Sequence, residues 1–334
     1  MGVKPPLVAL LGATGFIGSA VLRELAGRPV RIRAVSRRPA PVPADARADV
    51  EVRSADLTAP GEMAAALADA DVVVPAVLYS AATSTWRIED GDTEAERVNV
   101  GLVRDLVAAL ADRGPGSARP TVVFTGTVGQ AGPCGGRTLD GTEADRPVGA
   151  YDRQKLAAEQ LLLAAHGHGV LLGTSLRLPT VFGYGPHSTA NDRGVISAMT
   201  RRALSGEPIT MWHDGTVRRD LVYVEDVARA VAAAIDHGEA LAGRHWIVGT
   251  GVARPLGEVF TRVAALVAER TGKPPVPVVS VEPPSHADAG DFADIAVDPS
   301  AFRRATGWSP LTPLGDALAR TVAFLADERE RTAS

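Results

Sequence analysis

The sequence of 334 residues contains little lysine and a single cysteine, and both shortages exclude classes of protein. Because Cys134 has no second cysteine to pair with, no internal disulfide forms, and we expect a protein of the reducing cytoplasm. Acidic residues outnumber basic ones by 39 to 35, so no overall positive field attracts nucleic acid or a membrane surface. The only lysines are Lys4, Lys155 and Lys273, which makes a lysine within a motif informative.

Long apolar runs and metal-ligand spacings are also missing. The run that ends at Leu11 leads into a glycine turn without a small-residue cleavage site, so we predict a strand there and not a signal peptide. The run from Val72 to Leu78 is broken by Pro75 and is too short to span a bilayer. The seven histidines lack metal-ligand spacing and Gly-x-Ser-x-Gly is absent, so we predict neither a metal site nor an α/β-hydrolase.

The first half of the chain alternates short β-branched runs with longer runs rich in alanine and leucine. This alternation is typical of right-handed βαβ units, so we predict an α/β fold with a Rossmann-type, doubly wound parallel sheet. After Pro179 the rhythm becomes irregular. We therefore predict a nucleotide-binding domain over 1–179 and 219–250, and a smaller, discontinuous substrate lobe over 180–218 and 251–334. The predicted strands of the first half are Leu7–Leu11, Val30–Val35, Val50–Arg53, Val72–Val77, Thr121–Phe124 and Val170–Leu176.

The turn after the first predicted strand has the spacing of a phosphate-binding loop, with Gly12, Gly15 and Gly18 three residues apart. The first glycine permits a tight turn, the second lets a pyrophosphate approach the backbone, and the third lets the helix pack on the strand. A purely structural glycine turn is the alternative, but the position at the head of a βαβ series favours a dinucleotide site. The other predicted cofactor contacts in this loop are Thr14, Phe16 and Ile17.

The end of the second predicted strand indicates which dinucleotide is bound. An NAD site usually has an acidic residue there for the ribose 2′-hydroxyl, whereas this sequence has Ser36, Arg37 and Arg38. Because a guanidinium binds a 2′-phosphate in bidentate fashion, we predict NADP(H) as the cofactor, with a solvated loop as the alternative. After the third strand, we expect Asp56, next to Leu57, to accept a bond from the adenine amine or to cap the next helix.

A tyrosine and a lysine, Tyr151 and Lys155, stand four residues apart near the start of a predicted helix that runs to about Ala165. At this spacing the two side chains share one helix face. A nearby ammonium lowers the pKa of a tyrosine towards the working pH, which suits a general acid and base. The alternative is an ordinary surface pair.

These glycines, the Tyr151 and Lys155 pair and the segment Arg219 to Ala228 together resemble the extended short-chain dehydrogenase/reductase superfamily, in its nucleotide-sugar epimerase, dehydratase and ketoreductase branch. The resemblance covers nearly the whole chain. It implies that Tyr151 exchanges a proton with the sugar oxygen and that Lys155 holds the nicotinamide ribose and tunes Tyr151. It also implies a catalytic hydroxyl on Thr127, with Thr125 as second choice and a plain strand-end threonine as the alternative.

The resemblance further implies contacts to a nucleotide-sugar substrate. Arg219 matches the diphosphate arginine of the family, and an ion pair with Asp220 or Glu225 is its alternative role. Two apolar helix stripes, within Leu102–Leu110 and Leu156–Leu163, are core in the simplest interpretation, but family members often pair these helices, so we expect a homodimer. The remaining predicted contacts are Asn99, which supports the active site, Thr180 in the place of a diphosphate-binding asparagine, Arg193 and Arg218 as weaker cations, Trp212 beside the base or within a strand, and Pro179 at the cofactor.

Several reactions are open to such a site. The 4,6-dehydratases carry an Asp-Glu pair directly after the catalytic threonine. This chain has Val128 and Gly129 there, and neither ionises, so the acid and base of that reaction are missing and we do not expect a 4,6-dehydratase. A 4-epimerase keeps NAD bound, whereas a ketoreductase consumes NADPH, which Arg37 and Arg38 favour. The sequence looks most like 4-ketoreductases of nucleotide-activated 4-keto-6-deoxyhexoses, with dTDP as the expected nucleotide, in bacterial natural-product and deoxysugar biosynthesis. A 4-epimerase, a non-catalytic NADP(H) sensor and a reductase of free ketones are the alternatives.

Overall fold

The computed structural model of the chain describes residues 4–79, 88–113, 118–185, 188–284, 287 and 289–333. The strands in these ranges are β1 (Leu7–Leu11), β2 (Arg31–Ser36), β3 (Asp49–Ser54), β4 (Val72–Pro75), β5 (Thr121–Thr127), β6 (Leu172–Leu178), β7 (Thr180–Phe182), β8 (Ile209–Met211), β9 (Arg218–Tyr223), β10 (Arg244–Ile247), β11 (Ala253–Pro255) and β12 (Val278–Ser280). The helices are α1 (Phe16–Ala26), α2 (Glu62–Leu67), α3 (Thr93–Glu96), α4 (Leu102–Ala111), α5 (Ala150–Gly167), α6 (Val195–Leu204), α7 (Val224–Asp236), α8 (Gly238–Leu241), α9 (Leu256–Thr271), α10 (Ala289–Phe292), α11 (Ser300–Thr306) and α12 (Leu314–Ala333). A π-helix, Arg97–Gly101, precedes α4, and a 3₁₀ helix, Val128–Ala131, follows β5. None of the helices described combines the length and apolar composition needed to cross a membrane.

The main sheet has seven parallel strands in the order β3-β2-β1-β4-β5-β6-β10. The strand order reverses between β1 and β4, and in such sheets ligands bind beyond the carboxyl ends of the strands at this switch point. The predicted Rossmann-type α/β fold is therefore confirmed. Strands β5 and β6 run further than predicted because Thr125, Gly126 and Thr127 pair with the residues from Leu176 to Leu178.

Strand β1 shows why the sheet is buried on both faces. All five of its residues are buried. Val8 and Leu10 belong to an apolar cluster with α1 and α7, whereas Ala9 and Leu11 belong to a second cluster with α2, α4 and α5. Because side chains of a strand alternate between faces, a continuous apolar run supplies both layers.

A further apolar cluster lies outside the main sheet, where α6, α9 and α12 pack together around residues such as Ile196, Phe260 and Leu318. Strand β9 pairs with β7 and β11 in a small sheet, and β8 pairs with β12 in another. Helix α11 instead packs on the main sheet, because Phe302 belongs to the same cluster as Val8. The division of the chain into two units at the sequence boundaries given above stays a prediction.

Phe302 is the centre of an aromatic group that joins α11 to the main sheet, and we expect Phe302→Ala to destabilise the protein by about 3–5 kcal/mol. Its ring lies edge-on to Trp246 at 6.4 Å and to Trp308 at 5.6 Å, and it is fully buried. Urea unfolding measures the loss. Leu311→Ala, at a side chain 69% exposed, is the control and should change stability by less than about 0.5 kcal/mol. Equal unfolding midpoints for the two variants would contradict the expectation.

Candidate active site

The predicted site residues collect at the carboxyl edge of the main sheet. The strand ends concerned are those of β1, β2, β3, β5 and β6. Parallel strands bring these ends to one edge, so residues far apart in sequence become neighbours. The residues at or directly after these ends are Gly12, Arg37, Ala55 with Asp56, Thr127 and Pro179.

The glycine turn after β1 is sterically tight. Gly12 has a φ of +87°, and a Cβ there would lie 2.7 Å from the Ala76 carbonyl oxygen. A Cβ on Gly18 would overlap the carbonyl oxygen of Gly12. The backbone N–H of Gly12 donates to the Val35 carbonyl at 2.8 Å, which fixes the turn against β2. Both glycines are therefore required by backbone packing, as the motif predicts.

The start of α1 is suited to an anion. Gly15 is its N-cap and provides no side-chain hydrogen bond, and the first turn contains no acidic residue. The positive end of the helix dipole is therefore not neutralised by the protein there. The side chains of Phe16 and Ile17 pack towards two different apolar clusters, so the backbone is what this turn would present to a phosphate.

The turn after β2 carries the predicted 2′-phosphate arginines. Arg37 and Arg38 are exposed, while Ser36 is buried and its hydroxyl donates to the Arg38 carbonyl at 2.7 Å. This bond fixes the path of the backbone between the two guanidinium groups. Their role as cofactor contacts stays a prediction.

Asp56 closes a local turn after β3. Its carboxylate accepts bonds from the Thr58 hydroxyl at 2.7 Å and the Thr58 N–H at 3.0 Å, and these bonds hold the pKa of Asp56 below its usual range. Helix α2 begins at Glu62 with Gly61 as its N-cap, so the alternative that Asp56 caps this helix is wrong. Leu57 is buried in the apolar cluster below α2 and α4.

The ammonium of Lys155 is buried, with 6% of the residue exposed. Its Nζ donates to the Thr125 carbonyl oxygen at 2.8 Å and lies 4.8 Å from the centre of the Phe124 ring. Burial lowers the pKa of Lys155 to about 8. Helix α5 is thereby tied to the end of β5, and a cation is held inside the site.

Tyr151 lies in the first turn of α5, with its ring centre 6.0 Å from the Lys155 Nζ. Burial and then the carboxylate of Asp152 raise the pKa of Tyr151 above its usual range. The expectation that the pKa of Tyr151 is lowered towards the working pH is therefore wrong for the protein by itself. The physical reason is that burial disfavours the phenolate. The phenol stays protonated, which is the form that a general acid needs.

Thr127 is the last residue of β5 and the N-cap of the following 3₁₀ helix. Its Oγ1 accepts the Gly129 N–H at 3.1 Å, so the hydroxyl keeps its own proton for another acceptor. Thr125 points to the same side of the strand but is buried. The exposure of Thr127 favours it over Thr125 as the predicted catalytic hydroxyl.

Asn99 uses both ends of its amide within the protein. Its Oδ1 accepts the Tyr79 N–H at 2.8 Å and its Nδ2 donates to Gln154 Oε1 at 2.7 Å. The residue belongs to the π-helix before α4, and such helices are frequent at functional sites. Asn99 thus links the chain after β4 to the catalytic helix, and its assignment to the substrate stays a prediction.

A buried ion-pair network behind α5 was missed in the sequence. Arg177 on β6 and Glu159 on α5 are each 2% exposed, and Arg177 Nη2 lies 2.5 Å from Glu159 Oε1. Arg177 Nη1 also binds Asp145 Oδ1 at 2.7 Å, and the Ser175 hydroxyl donates to Glu159 at 2.5 Å. Two features of the sequence could have indicated this network. Glu159 stands one helical turn after Lys155, and Arg177 stands in an apolar strand.

Arg219 is buried, and its guanidinium is engaged by backbone carbonyls. Its Nη2 donates to Gly290 O at 2.8 Å and to Asp291 O at 3.0 Å, while Nη1 donates to the carbonyls of Arg218 and Ala293. Asp220 instead accepts three backbone N–H groups from residues 250–252, and Glu225 pairs with Arg320. The ion-pair alternative for Arg219 is therefore wrong.

The other predicted substrate residues lie outside the seven strands of the main sheet. Thr180 begins β7 and is half-buried, and Trp212, also half-buried, directly follows β8. Arg193 and Arg218 are exposed. Their contacts to a substrate stay predictions. Within the part of the chain that the structure describes, no group of three or more His, Cys, Asp or Glu residues is arranged to hold a metal ion.

Comparison with known proteins places the chain in a family. Residues 8–249 match the NAD dependent epimerase/dehydratase family, and the chain belongs to it. A dTDP-L-rhamnose 4-epimerase from Burkholderia thailandensis is 27% identical over 97% of this chain and 96% of the relative. A dTDP-6-deoxy-L-talose 4-dehydrogenase (NAD(P)(+)) from Kitasatospora kifunensis is 29% identical over 94% of each chain.

Solved structures agree with the fold. MoeE5 in complex with UDP-glucuronic acid and NAD has a TM-score of 0.77 at 27% identity, covering 98% of this chain and 100% of that chain. Some curated relatives, among them two dTDP-glucose 4,6-dehydratases, are matched over only about half of their own length, 53% and 44%. The fold and the membership of the extended short-chain dehydrogenase/reductase branch are thus established.

We expect Gly18→Ala to weaken binding of the nicotinamide dinucleotide and to destabilise the fold by about 1–3 kcal/mol, because the new Cβ overlaps the Gly12 carbonyl oxygen. Fluorescence titration with NADPH and NADH and thermal unfolding measure the two effects. Gly27→Ala at the other end of α1 is the matched control, since its Cβ would meet nothing closer than 3.7 Å. Unchanged binding and stability in Gly18→Ala would contradict the role given to this glycine.

Proposed function

We propose that the protein is an NADPH-dependent 4-ketoreductase of a nucleotide-activated 4-keto-6-deoxyhexose, with dTDP as the nucleotide, acting in deoxysugar biosynthesis. The observation that carries the proposal is the placement of Tyr151, Lys155 and Thr127 around the carboxyl end of β5, at the same edge of the main sheet as the glycine turn of β1. A buried lysine and a protonated phenol at a dinucleotide site are suited to reduction of a ketone. The full-length relatives named for dTDP-sugars support the substrate class.

The turn after β1 fits a dinucleotide, because Gly15 brings no side chain to the start of α1 and the first turn of this helix contains no acidic residue that would repel a pyrophosphate. NADPH, when bound, supplies the hydride that adds to the carbonyl carbon of the sugar. The side chain of Tyr151 donates its proton to the carbonyl oxygen as that oxygen gains negative charge. Thr127 donates its hydroxyl proton in a hydrogen bond to the same oxygen, so charge is stabilised from two sides.

Lys155 supports the proton transfer from inside the site. Its ammonium lies 6.0 Å from the centre of the Tyr151 ring and stabilises the phenolate that remains after the proton has left. Because the lysine is anchored on the Thr125 carbonyl, its charge does not swing towards solvent. A second proton, taken up from water, then restores the phenol. The products are a secondary alcohol and the oxidised dinucleotide.

A 4-epimerase is the second candidate function. It is favoured by one observation, the match over 97% of this chain to a relative named as a dTDP-L-rhamnose 4-epimerase. An epimerase would oxidise and reduce the same carbon without net use of cofactor. Steady consumption of NADPH with a 4-keto sugar would favour the reductase, and interconversion of two 4-hydroxy sugars with bound NAD would favour the epimerase.

The proposal includes a cytoplasmic homodimer. A surface groove lies between α5 and the chain from the end of α3 to α4, and apolar positions such as Val100, Ala157 and Leu161 line it. Charged side chains, among them Arg104 and Glu96, also line this groove. A self-complementary contact between two such faces would cover the groove.

We expect Tyr151→Phe to lower kcat for reduction of a dTDP-4-keto-6-deoxyhexose by roughly 10²- to 10⁴-fold, because the general acid is removed. NADPH affinity should be unchanged, since the ring remains. NADPH oxidation followed by absorbance measures kcat, and fluorescence titration measures binding. Full activity of Tyr151→Phe would refute the assignment of the acid.

We expect a kcat/KM ratio that favours NADPH over NADH, because two exposed guanidinium groups follow β2 in place of a carboxylate. Replacing Arg37 or Arg38 by Ala should lower kcat/KM for NADPH by roughly tenfold or more and leave that for NADH unchanged. Arg47→Ala, at an exposed arginine before β3, is the matched control. Equal use of both dinucleotides by the unmodified protein would show that the arginines belong to a solvated loop.

A further inference from the structure

The carboxylate of Asp152 occupies the space next to Gly129 that a side chain at position 129 would fill. A Cβ on Gly129 would overlap Asp152 Oδ1 and would lie 2.6 Å from Cγ and 2.9 Å from Oδ2. Contacts of this length do not occur between real atoms, so residue 129 must be glycine for the carboxylate to stay in place. The two residues are 23 positions apart in the chain, in different elements.

Asp152 joins the elements that carry the two proposed hydroxyl donors. It lies in the first turn of α5, next to Tyr151, and its Oδ2 would be 3.6 Å from a Cβ at the N-cap residue Gly149. A negative charge at this end of a helix is stabilised by the helix dipole. On the other side, Gly129 donates its N–H to Thr127 Oγ1 at 3.1 Å. The carboxylate therefore lies between the start of α5 and the turn that orients Thr127.

We propose that Asp152 is a positioning residue of the reductase, which fixes Tyr151 relative to Thr127 through its contact with Gly129 and sets a negative charge beside the phenol. The inference rests on the proposed function for the identity of the reaction. It goes further by coupling Asp152 at the start of α5 to Gly129 in the turn after β5, so that the carboxylate between these two elements comes from the helix.

The negative charge of Asp152 makes the phenol of Tyr151 hold its proton more tightly. After burial, the Asp152 carboxylate is the second cause that raises the pKa of Tyr151. A phenol with a neighbouring anion holds its proton until the substrate oxygen becomes negative. The other ionisable group of this helix face is Lys155, while Glu159, one turn further, is neutralised by Arg177.

The first experiment removes the negative charge of Asp152 and keeps the volume of its side chain. In Asp152→Asn, we expect the acidic limb of the kcat profile for the reverse reaction, oxidation of the 4-hydroxy sugar, to move to lower pH, because phenolate is the active form there and the phenol ionises more easily without the adjacent anion. The alkaline limb of ketone reduction does not serve as the readout, because Lys155, with its pKa lowered to about 8, titrates before the phenol. A merely structural role would lower the rate of oxidation by one factor at every pH and leave its acidic limb in place.

The second experiment tests the contact with Gly129. We expect Gly129→Ala to lower kcat by roughly 10-fold, because the new methyl group displaces the Asp152 carboxylate from its place between Gly129 and the start of α5. In an Asp152→Ala background, Gly129→Ala should lower kcat much less, since the space beside position 129 is then free. Gly167→Ala at the far end of α5, where a Cβ would meet nothing within 4 Å, is the matched control and should be neutral.

Failure of the inference is distinguishable from failure of the proposed function. Absence of keto-sugar reduction in the unmodified protein would overturn the function alone, because Tyr151 ionisation is also measured without substrate, from the ultraviolet band of tyrosinate relative to Tyr151→Phe. Asp152→Asn should shift the onset of this band to lower pH. An unmoved onset and additive effects of the two substitutions would overturn the role of Asp152.

Discussion

The buried ammonium of Lys155 is the constraint on which the site depends. Removing an ammonium from water costs several kcal/mol even after relaxation, so the surrounding groups must compensate for it. The compensation comes from the Thr125 carbonyl at 2.8 Å and from the face of Phe124. Both belong to β5, so the cost of burying the charge can be offset only while α5 stays against the end of that strand. Because Tyr151 lies one turn earlier on the same helix, this requirement also fixes the position of Tyr151.

A second buried charge pair holds the same helix one turn further on. Arg177 contacts Glu159 in a forked geometry, through Nη2 at 2.5 Å and Nε at 3.2 Å, and reaches Asp145 with its remaining nitrogen. Such pairs add directional specificity more than net stability, since removing either partner leaves a buried charge alone. The β5 residue next to this network is Gly126, where a Cβ would lie 2.6 Å from Gln130 Oε1. A Cβ on Gly126 would also lie 3.0 Å from Ser175 Oγ and 3.3 Å from Glu159 Oε2, so the network favours a glycine at this position of β5.

Features that depend on neighbouring residues were predicted from the sequence, whereas features that depend on residues far apart in the chain were missed. The glycine turn, the alternation of strands and helices, and the spacing of Tyr151 and Lys155 are local patterns, and the fold that they predict is the one observed. Three of the four carbonyl partners of Arg219 lie 71–74 residues further along the chain, and no local pattern indicates them. The direction of the Tyr151 pKa was missed because it depends first on burial, which the spacing of Tyr151 and Lys155 does not indicate.

The hydrogen bonds that the Arg219 guanidinium makes within the protein limit how tightly an anion can bind to it. Its four terminal N–H bonds already end on carbonyl oxygens, so a phosphate group that binds this guanidinium must exchange with them and gains only the difference. Binding free energy at this arginine is then small although the charge is buried, and the carbonyls re-form their bonds as the anion departs. An arrangement of this kind favours rapid exchange of a bound anion over its tight retention.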